Sequence, residues 1–248
     1  MPALISIITP VYNAAAFIAE TIQSVLNQTY PHWEIILVDD ISTDNSVAII
    51  QSFQDDRIKL IQLKKNSGPA VARNTAILQA KGRYIAFLDS DDLWLPEKLE
   101  KQLAFIQKKN CAVVHSAYEI MNAEGKRTGK IISAPEKLTY NQLLNYNYIG
   151  CLTGMYDTQK TGKVLMPNIP KRQDYGLWLA ILRMGHTACF QNEVLALYRT
   201  GRVSVSSNKA ATASYNWKIL RDIEKLPFWK AAWHFGVYTF LGFKKYYF

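Results

Sequence analysis

Apolar residues follow two rhythms through the first half of the chain. Leu4 to Thr9 is a short β-rich run, and Pro10-Val11-Tyr12-Asn13 then turns the chain. Phe17, Ile18, Ile22, Val25 and Leu26 recur at helical spacing, which predicts a helix within 14–28. Pro31 breaks the chain, and Trp33 to Val38 predicts a second strand ending at Asp39-Asp40. Ser42-Thr43-Asp44 suits the start of a helix from Asn45 to Phe53. Ile58 to Leu63 reads as a third strand. Asn66-Ser67-Gly68-Pro69 opens a helix that runs to Ala80, where Lys81-Gly82 closes it. Tyr84 to Leu88 is a fourth strand. Strands alternating with helices imply parallel βαβ units, with both faces of the sheet covered.

The pattern then weakens. Pro96 to Lys109 predicts a helix, Cys111 to His115 a strand, and Glu124-Gly125-Lys126 a hairpin turn. The stretch 133–170 is irregular and rich in Tyr, Asn and Gly, as a binding loop or lid is. Helical spacing returns at Leu177, Trp178, Ile181 and Leu182, within Gln173 to Met184. The pattern therefore divides the chain into 1–115, 116–210 and a helical tail over 211–248. In that tail Leu226, Trp229, Trp233, Val237 and Phe240 step by three, four, four and three along one helical face. Lys225, Lys230, Lys244 and Lys245 accompany them, and Phe243, Tyr246, Tyr247 and Phe248 close the chain. Aromatics with lysines suit a membrane headgroup interface. The same pattern also reads as a helix packed on the domain with its lysines solvated.

Composition narrows the partners. The 248 residues suffice for one full core, and 49% hydrophobic with 20% charged residues is ordinary for a globular protein. A formal net charge of +9 is not ordinary and favours a nucleotide, a nucleic acid or an acidic membrane surface. Cys111, Cys151 and Cys189 are odd in number, far apart in sequence and without metal-ligand spacing, which suits a reducing compartment. We expect no signal peptide ahead of Leu4 to Ile8, and no segment apolar enough to span a membrane.

Candidate chemistry gathers where strands end. Asp89-Ser90-Asp91-Asp92 follows the apolar run Tyr84 to Leu88 and puts three carboxylates in four residues. Such carboxylates repel one another unless solvated or neutralised. A hard cation such as Mg²⁺ or Mn²⁺, which also holds phosphate oxygens, would neutralise them. The cluster equally reads as a solvated turn whose Asp91 or Asp92 caps the next helix. Thr9 to Asn13, Asp39-Asp40, Asn66 to Arg73 and Asp89 to Asp92 would share one edge of a parallel sheet, where open α/β sheets bind ligands. Tyr12 could face a base, Asp40 could hydrogen-bond a base or ribose, and a metal at Asp91 could hold a diphosphate.

Four motifs in order carry a resemblance. They are Ile7-Ile8-Thr9-Pro10-Val11-Tyr12-Asn13, Val38-Asp39-Asp40, Asn66 to Asn74, and Phe87-Leu88-Asp89-Ser90-Asp91-Asp92. Together they resemble the signatures of family-2 inverting glycosyltransferases with the GT-A fold, over roughly residues 4–210. Arg172-Gln173-Asp174-Tyr175 and Ser204 to Lys209 point, by the same resemblance, to bacterial teichuronic-acid, capsule and O-antigen enzymes. The resemblance implies an α/β fold of GT-A type, with a mostly parallel nucleotide-binding sheet: 1–115 would be a nucleotide-sugar-binding half, 116–210 an acceptor-binding and catalytic-base half of the same domain, and 211–248 a basic, aromatic, amphipathic helical tail. It implies that Tyr12 stacks on the uracil of a UDP-sugar and that Asp40 accepts its N3 hydrogen. Arg73 would lie near uracil and phosphates, Asp89 would hold the ribose, and Asp91 with Asp89 would bind Mn²⁺ or Mg²⁺. Asp92 would cap or support. Asp174 would be the general base, and Thr9, Arg172 and Arg199 would complete the substrate contacts. Tyr198-Arg199 and the segment Arg202 to Lys209 would close over the diphosphate.

The implied reaction is a single displacement moving one hexose, from UDP-glucose or UDP-galactose, with inversion to a β-linkage. The implied acceptor is a polyprenyl-diphosphate-linked GlcNAc in O-antigen, lipopolysaccharide or capsule repeat-unit synthesis. It would be met by a peripheral enzyme on the anionic cytoplasmic face of the inner membrane, with no nucleic-acid partner. The Gln-x-x-Arg-Trp motif of processive relatives does not occur. A nucleotidyltransferase would also place carboxylates at these strand ends, but Pro10 to Ala14 has no glycine for its usual loop. A nucleic-acid-binding module would fit the charge, yet the basic residues are dispersed and the strand ends are acidic.

Overall fold

A computed structural model of the chain describes residues 2–201 and 209–247. Among them, ten strands form one mixed sheet. The strands are β1 (Ile5–Val11), β2 (Trp33–Asp39), β3 (Ile58–Gln62), β4 (Tyr84–Phe87), β5 (Leu93–Trp94), β6 (Val113–Met121), β7 (Arg127–Ile132), β8 (Lys137–Leu138), β9 (Met155–Asp157) and β10 (Ala188–Arg199). The helices are α1 (Ile18–Leu26), α2 (Ser46–Gln51), α3 (Pro69–Gln79), α4 (Lys98–Lys109), α5 (Tyr140–Asn145), α6 (Thr158–Thr161), α7 (Gln173–Arg183), α8 (Lys209–Lys218) and α9 (Phe228–Tyr247).

The strand order is β3-β2-β1-β4-β9-β6-β10-β5, with β7 paired to β6 and β8 to β10. The first four strands are parallel, as their alternation with helices predicts. Successive side chains alternate across them. Ile5, Ile7, Ile35 and Leu37 enter a core with α1 and α4, whereas Ile8, Ile36 and Val38 enter a second core with α3 and α7. Burial on both faces explains why these strands read as continuous apolar runs.

The second half departs from the expected parallel pattern. β9 lies antiparallel between β4 and β6, near the middle of the sheet. It belongs to the stretch 133–170, which reads as irregular because a strand of three residues shows no period. α5 lies there too, opened by a reciprocal cap between Thr139 and Gln142. The expected hairpin is present: Gly125 has φ +80° and β6 returns as β7. α7 sits close over β9 because Gly154 has no side chain. A Cβ there would fall 2.4 Å from the Trp178 ring.

No helix among the described residues is long and apolar enough to cross a membrane. α9 packs one side on the domain. Ala231 is fully buried, Phe235 packs on the α7 core, and His234 Nδ1 lies 2.7 Å from Asn145 Oδ1. Of the face expected to meet a membrane, Leu226 packs on the core, while Trp229, Trp233 and Phe240 are 67%, 69% and 68% exposed. Segment 202–208, with the motif that begins at Ser204, lies outside the described residues, as do the side chains of 243–248.

Candidate active site

The register of the parallel strands brings their carboxyl ends together. Val11 pairs with Asp39, and Asp39 with Gln62, so Tyr12, Asp40 and the loop to α3 follow on one edge. A cleft of about 1740 Å³ opens there. Tyr12, Asp40, Arg73, Asp89 and Asp91 line one part, and Tyr146, Asn147, Tyr148, Asp174 and Tyr238 line another.

Backbone stitching presents Tyr12. Asn13 takes the left-handed conformation at φ +48°, and its Oδ1 accepts from Thr43 N at 2.8 Å. Asn13 N donates to Ser42 Oγ at 3.0 Å, and Ala15 N to Asp44 Oδ2 at 2.9 Å. The loops after β1 and β2 are thus tied together, and Tyr12 projects 54% exposed into the cleft.

Asp40 is buried and accepts backbone N–H groups on both oxygens, from Ser67 and Gly68, each at 2.7 Å. Gly68 can turn its N–H inward because its φ is +86°, a conformation that side chains resist. Each Asp40 oxygen keeps a further acceptor position. The next residue, Ile41, holds φ +66°, an outlier for a β-branched side chain, and it too lines the cleft. No sequence signal marks that strain.

Arg73 sits at the cleft floor. Its Nη2 donates to Asp89 Oδ1 at 2.5 Å, and its Nη1 approaches Gln173 Oε1 at 3.5 Å. Burial works against its charge, but Asp89 outweighs it and holds the guanidinium pKa above its ordinary value. Arg73 therefore joins α3, the acidic turn and the start of α7.

The acidic turn divides its carboxylates. Asp89 and Asp91 line the cleft, whereas Asp92 is buried. Asp92 Oδ1 accepts from Arg199 N at 2.9 Å, and its Oδ2 is buried without a partner. Burial, with Asp91 and Asp89 nearby, pushes the Asp92 carboxyl well above its ordinary range. Asp92 supports the turn and does not face a ligand. Asp91 and Asp89 offer oxygen donors at the mouth of a strand. That chemistry fits a hard cation sharing diphosphate oxygens. Among the described residues no three His, Cys, Asp or Glu side chains form a closed metal cage.

Asp174 lies in the first turn of α7, where the helix dipole favours a carboxylate. Asn147 Nδ2 approaches its Oδ2 at 3.5 Å. Burial nonetheless pushes the Asp174 carboxyl above its ordinary 3.8, against the pull of Arg172 and Arg73. Arg172 precedes the helix at φ +65°, and its Nη2 donates to Tyr238 Oη at 2.7 Å. The C-terminal helix thus reaches the cleft, a contact that separation by 66 residues hides in the sequence.

Two expected substrate contacts are more enclosed than the others. Thr9 is fully buried within β1 and does not line the cleft. Arg199 lines the cleft beside the acidic turn, with its side chain 1% exposed. Its Nε donates to Asp91 O at 2.8 Å, Nη1 to Ala123 O at 2.9 Å and Nη2 to Glu20 Oε2 at 2.7 Å. Its guanidinium also rests 4.5 Å over Phe17. Arg199 braces the turn, with one N–H of each guanidinium nitrogen engaged. Tyr118 and Tyr238 escaped sequence reasoning, since they join Tyr146, Tyr148 and Tyr198 in the cleft only when distant segments converge.

Fold and site define an α/β protein with a cleft at the carboxyl edge of its parallel strands, an acidic turn and a separate carboxylate, Asp174, in the same cleft. The sequence model of Glycosyl transferase family 2 matches residues 6–175, and the chain belongs to that family of glycosyltransferases. A relative from Bacillus subtilis (strain 168), named as a teichuronic acid biosynthesis glycosyltransferase, TuaG, is 49% identical over 98% of this chain and 97% of its own. The UDP-Glc:alpha-D-GlcNAc-diphosphoundecaprenol beta-1,3-glucosyltransferase WfgD of Escherichia coli is 40% identical over 98% of this chain and 94% of its own. TarS of S. aureus in complex with UDP-GlcNAc shares the GT-A fold, with a TM-score of 0.75 at 21% identity, over 95% of this chain and 71% of that one.

Proposed function

We propose that the protein transfers one hexose, UDP-glucose first among donors, to a GlcNAc-diphosphate-polyprenol acceptor, forming a β-linkage in surface-polysaccharide repeat-unit synthesis. One observation carries this reading. A carboxylate of raised pKa, Asp174, faces the same cleft as the nucleotide edge and acidic turn, and Arg73 lies between them. The 40% identity to enzymes named for UDP-Glc and GlcNAc-diphosphoundecaprenol supports the substrate pair.

In the proposed reaction Tyr12 stacks on the uracil, and Asp40, fixed by its two amides, accepts the N3 hydrogen. Asp89 orients the ribose. Arg73 holds Asp89 in place and contributes positive charge beside the diphosphate. Asp91, with Asp89, would hold Mn²⁺ or Mg²⁺, which when bound neutralises charge on the UDP leaving group. The acceptor hydroxyl oxygen forms a bond to the anomeric carbon while the bond to the β-phosphate oxygen breaks. UDP leaves with that electron pair, and Asp174 accepts the hydroxyl proton. Attack opposite to an α-linked UDP inverts the centre. A raised Asp174 pKa makes the carboxylate a stronger base.

We further propose peripheral attachment at the cytoplasmic face of the inner membrane through the outer face of α9. Trp229, Trp233 and Phe240 are exposed there, with Lys225 and Lys230 nearby in sequence and also exposed. The substrate reading is tested by incubating the protein with UDP-glucose, UDP-galactose or UDP-GlcNAc and a GlcNAc-diphosphate-lipid. A β-linked disaccharide-diphosphate-lipid made from UDP-glucose is expected. Transfer only from another sugar nucleotide, or hydrolysis with no acceptor product, overturns it.

A further inference from the structure

A second, smaller groove of about 300 Å³ lies between β7 and α9, lined by Ile131, Ile132, Ser133, Tyr146, Tyr148 and Leu241. Ile132, Ser133, Tyr146 and Tyr148 also line the main cleft, so groove and cleft are continuous. We infer that this groove is the subsite for the first isoprene units of the lipid-linked acceptor, a reading that rests on the proposed acceptor class.

Three observations point to an apolar chain attached to an anion. First, Ile131 is 56% exposed on a strand whose preceding residues Arg127 to Lys130 are polar or glycine and exposed. A β-branched apolar side chain at that place has little to gain from water and can cover a hydrocarbon. Second, polarity changes along one line of contacts. Arg172 bonds the hydroxyl of Tyr238, and Tyr238 stacks on Tyr146 at 5.9 Å. Tyr146 in turn meets Tyr148 at 4.9 Å. The guanidinium is thus linked to the groove, where Ile131, Ile132 and Leu241 stand, through ring contacts. Lys171 and Arg172 both line the cleft, where a diphosphate would need positive charge. Third, Leu241 follows Phe240, which is exposed on the outer side of the same helix. One helix therefore carries a wall of the groove and the aromatic face proposed to meet the bilayer. A phosphate headgroup without a chain would use the basic part alone and leave the groove without a role.

The experiment uses the full chain and a farnesyl diphosphate bearing a photoreactive diazirine near the end of its chain. Irradiation should label peptides containing Ile131 to Ser133 or Leu241, and unlabelled farnesyl diphosphate should compete. Ile131→Asp lies on an exposed strand and should fold normally by circular dichroism. It and Leu241→Gln should each cut labelling about tenfold. In transfer assays both variants should raise KM about tenfold for a farnesyl-linked GlcNAc-diphosphate. They should leave an ethyl-linked acceptor unchanged. Labelling confined to the Trp229 and Trp233 surface, or equal effects on both acceptors, overturns the groove. If the groove is labelled but wild type glycosylates neither acceptor, the acceptor reading fails and the prenyl site stands.

Discussion

Arg73 Nη2 and Asp89 Oδ1 lie 2.5 Å apart, joining the helix after β3 to the turn after β4. Arg73 is buried, while Asp89 keeps 29% of its side chain exposed, facing the cleft. Breaking a buried pair costs about 3–5 kcal/mol because one charge is stranded, and the exposed side of Asp89 favours the lower figure. Arg73→Ala should lower unfolding free energy by about 3 kcal/mol in urea titrations and weaken UDP binding. Asp89→Asn in the same background should add less than its single effect, because the partner is already gone. Additive effects in the double-mutant cycle would show that the pair is not coupled.

Asp174→Asn should reduce kcat by about 10²–10⁴ while UDP-sugar affinity by calorimetry stays near wild type. The protonated carboxyl cannot accept a proton, so wild-type activity should fall as pH drops through the Asp174 pKa. That acid limb should lie above the ordinary 3.8, because burial raises the value. The limb should be absent from the residual activity of the Asn variant. Donor binding lost together with rate would move Asp174 to the donor side.

Asp91→Asn should abolish transfer with its fold retained, and excess EDTA should do the same to wild type. Asp92→Asn should behave differently. Its amide oxygen can still accept from Arg199 N, and it stays neutral where burial, Asp91 and Asp89 all disfavour a carboxylate. At neutral pH its melting temperature should equal or exceed wild type. Full wild-type activity in EDTA would remove the metal from the mechanism.

Lys98 is fully buried, with its ammonium 4.2 Å from the Trp94 ring and 2.6 Å from Gln102 Oε1. Burial lowers its pKa from 10.5 to about 7. Below that value both folded and unfolded chains carry the proton, and the folded state bears the full cost of a buried charge. Between about 7 and 10.5 the unfolded chain binds more protons, so this group makes stability rise with pH. Lys98→Met should flatten that rise in denaturant titrations across the same range. An unchanged slope would mean Lys98 reaches water when folded.

The outer face of α9 can be changed without disturbing its packed side. Trp229→Ser, Trp233→Ser and Phe240→Ser each alter a side chain more than two-thirds exposed. Each should shift stability by no more than about 0.5 kcal/mol. The triple variant should lose the salt-resistant part of its co-sedimentation with anionic liposomes. Deleting α9 is a poorer test, since it also removes Tyr238 from Arg172 and Phe235 from the core. Equal liposome binding by wild type and triple variant would end the membrane role of this face.

The sequence by itself determined the parallel half. Ile5 to Ile8, Trp33 to Val38 and Tyr84 to Leu88 are continuous apolar runs because both faces of the sheet are covered, and such runs are local signals. The strand ends followed, so Tyr12, Asp40, Arg73 and Asp89 could be placed on one edge before any coordinates. Asp174 was legible as the acidic first turn of an apolar helix. What a side chain does once several segments converge was decided only in three dimensions. Thr9 and Asp40 both stand near strand ends, yet pleating buries Thr9 while Asp40 reaches the cleft. Arg199 was expected near a diphosphate, and only the fold brings Glu20, Ala123 and Asp91 from three other segments to hold its guanidinium. β9, at three residues, is too short to show a period, and only its neighbours β4 and β6 make it a strand. The tail's pattern permitted packing or exposure. Tertiary contact chose both, because a helix has two sides and the domain covers only that of Ala231, Phe235 and Tyr238.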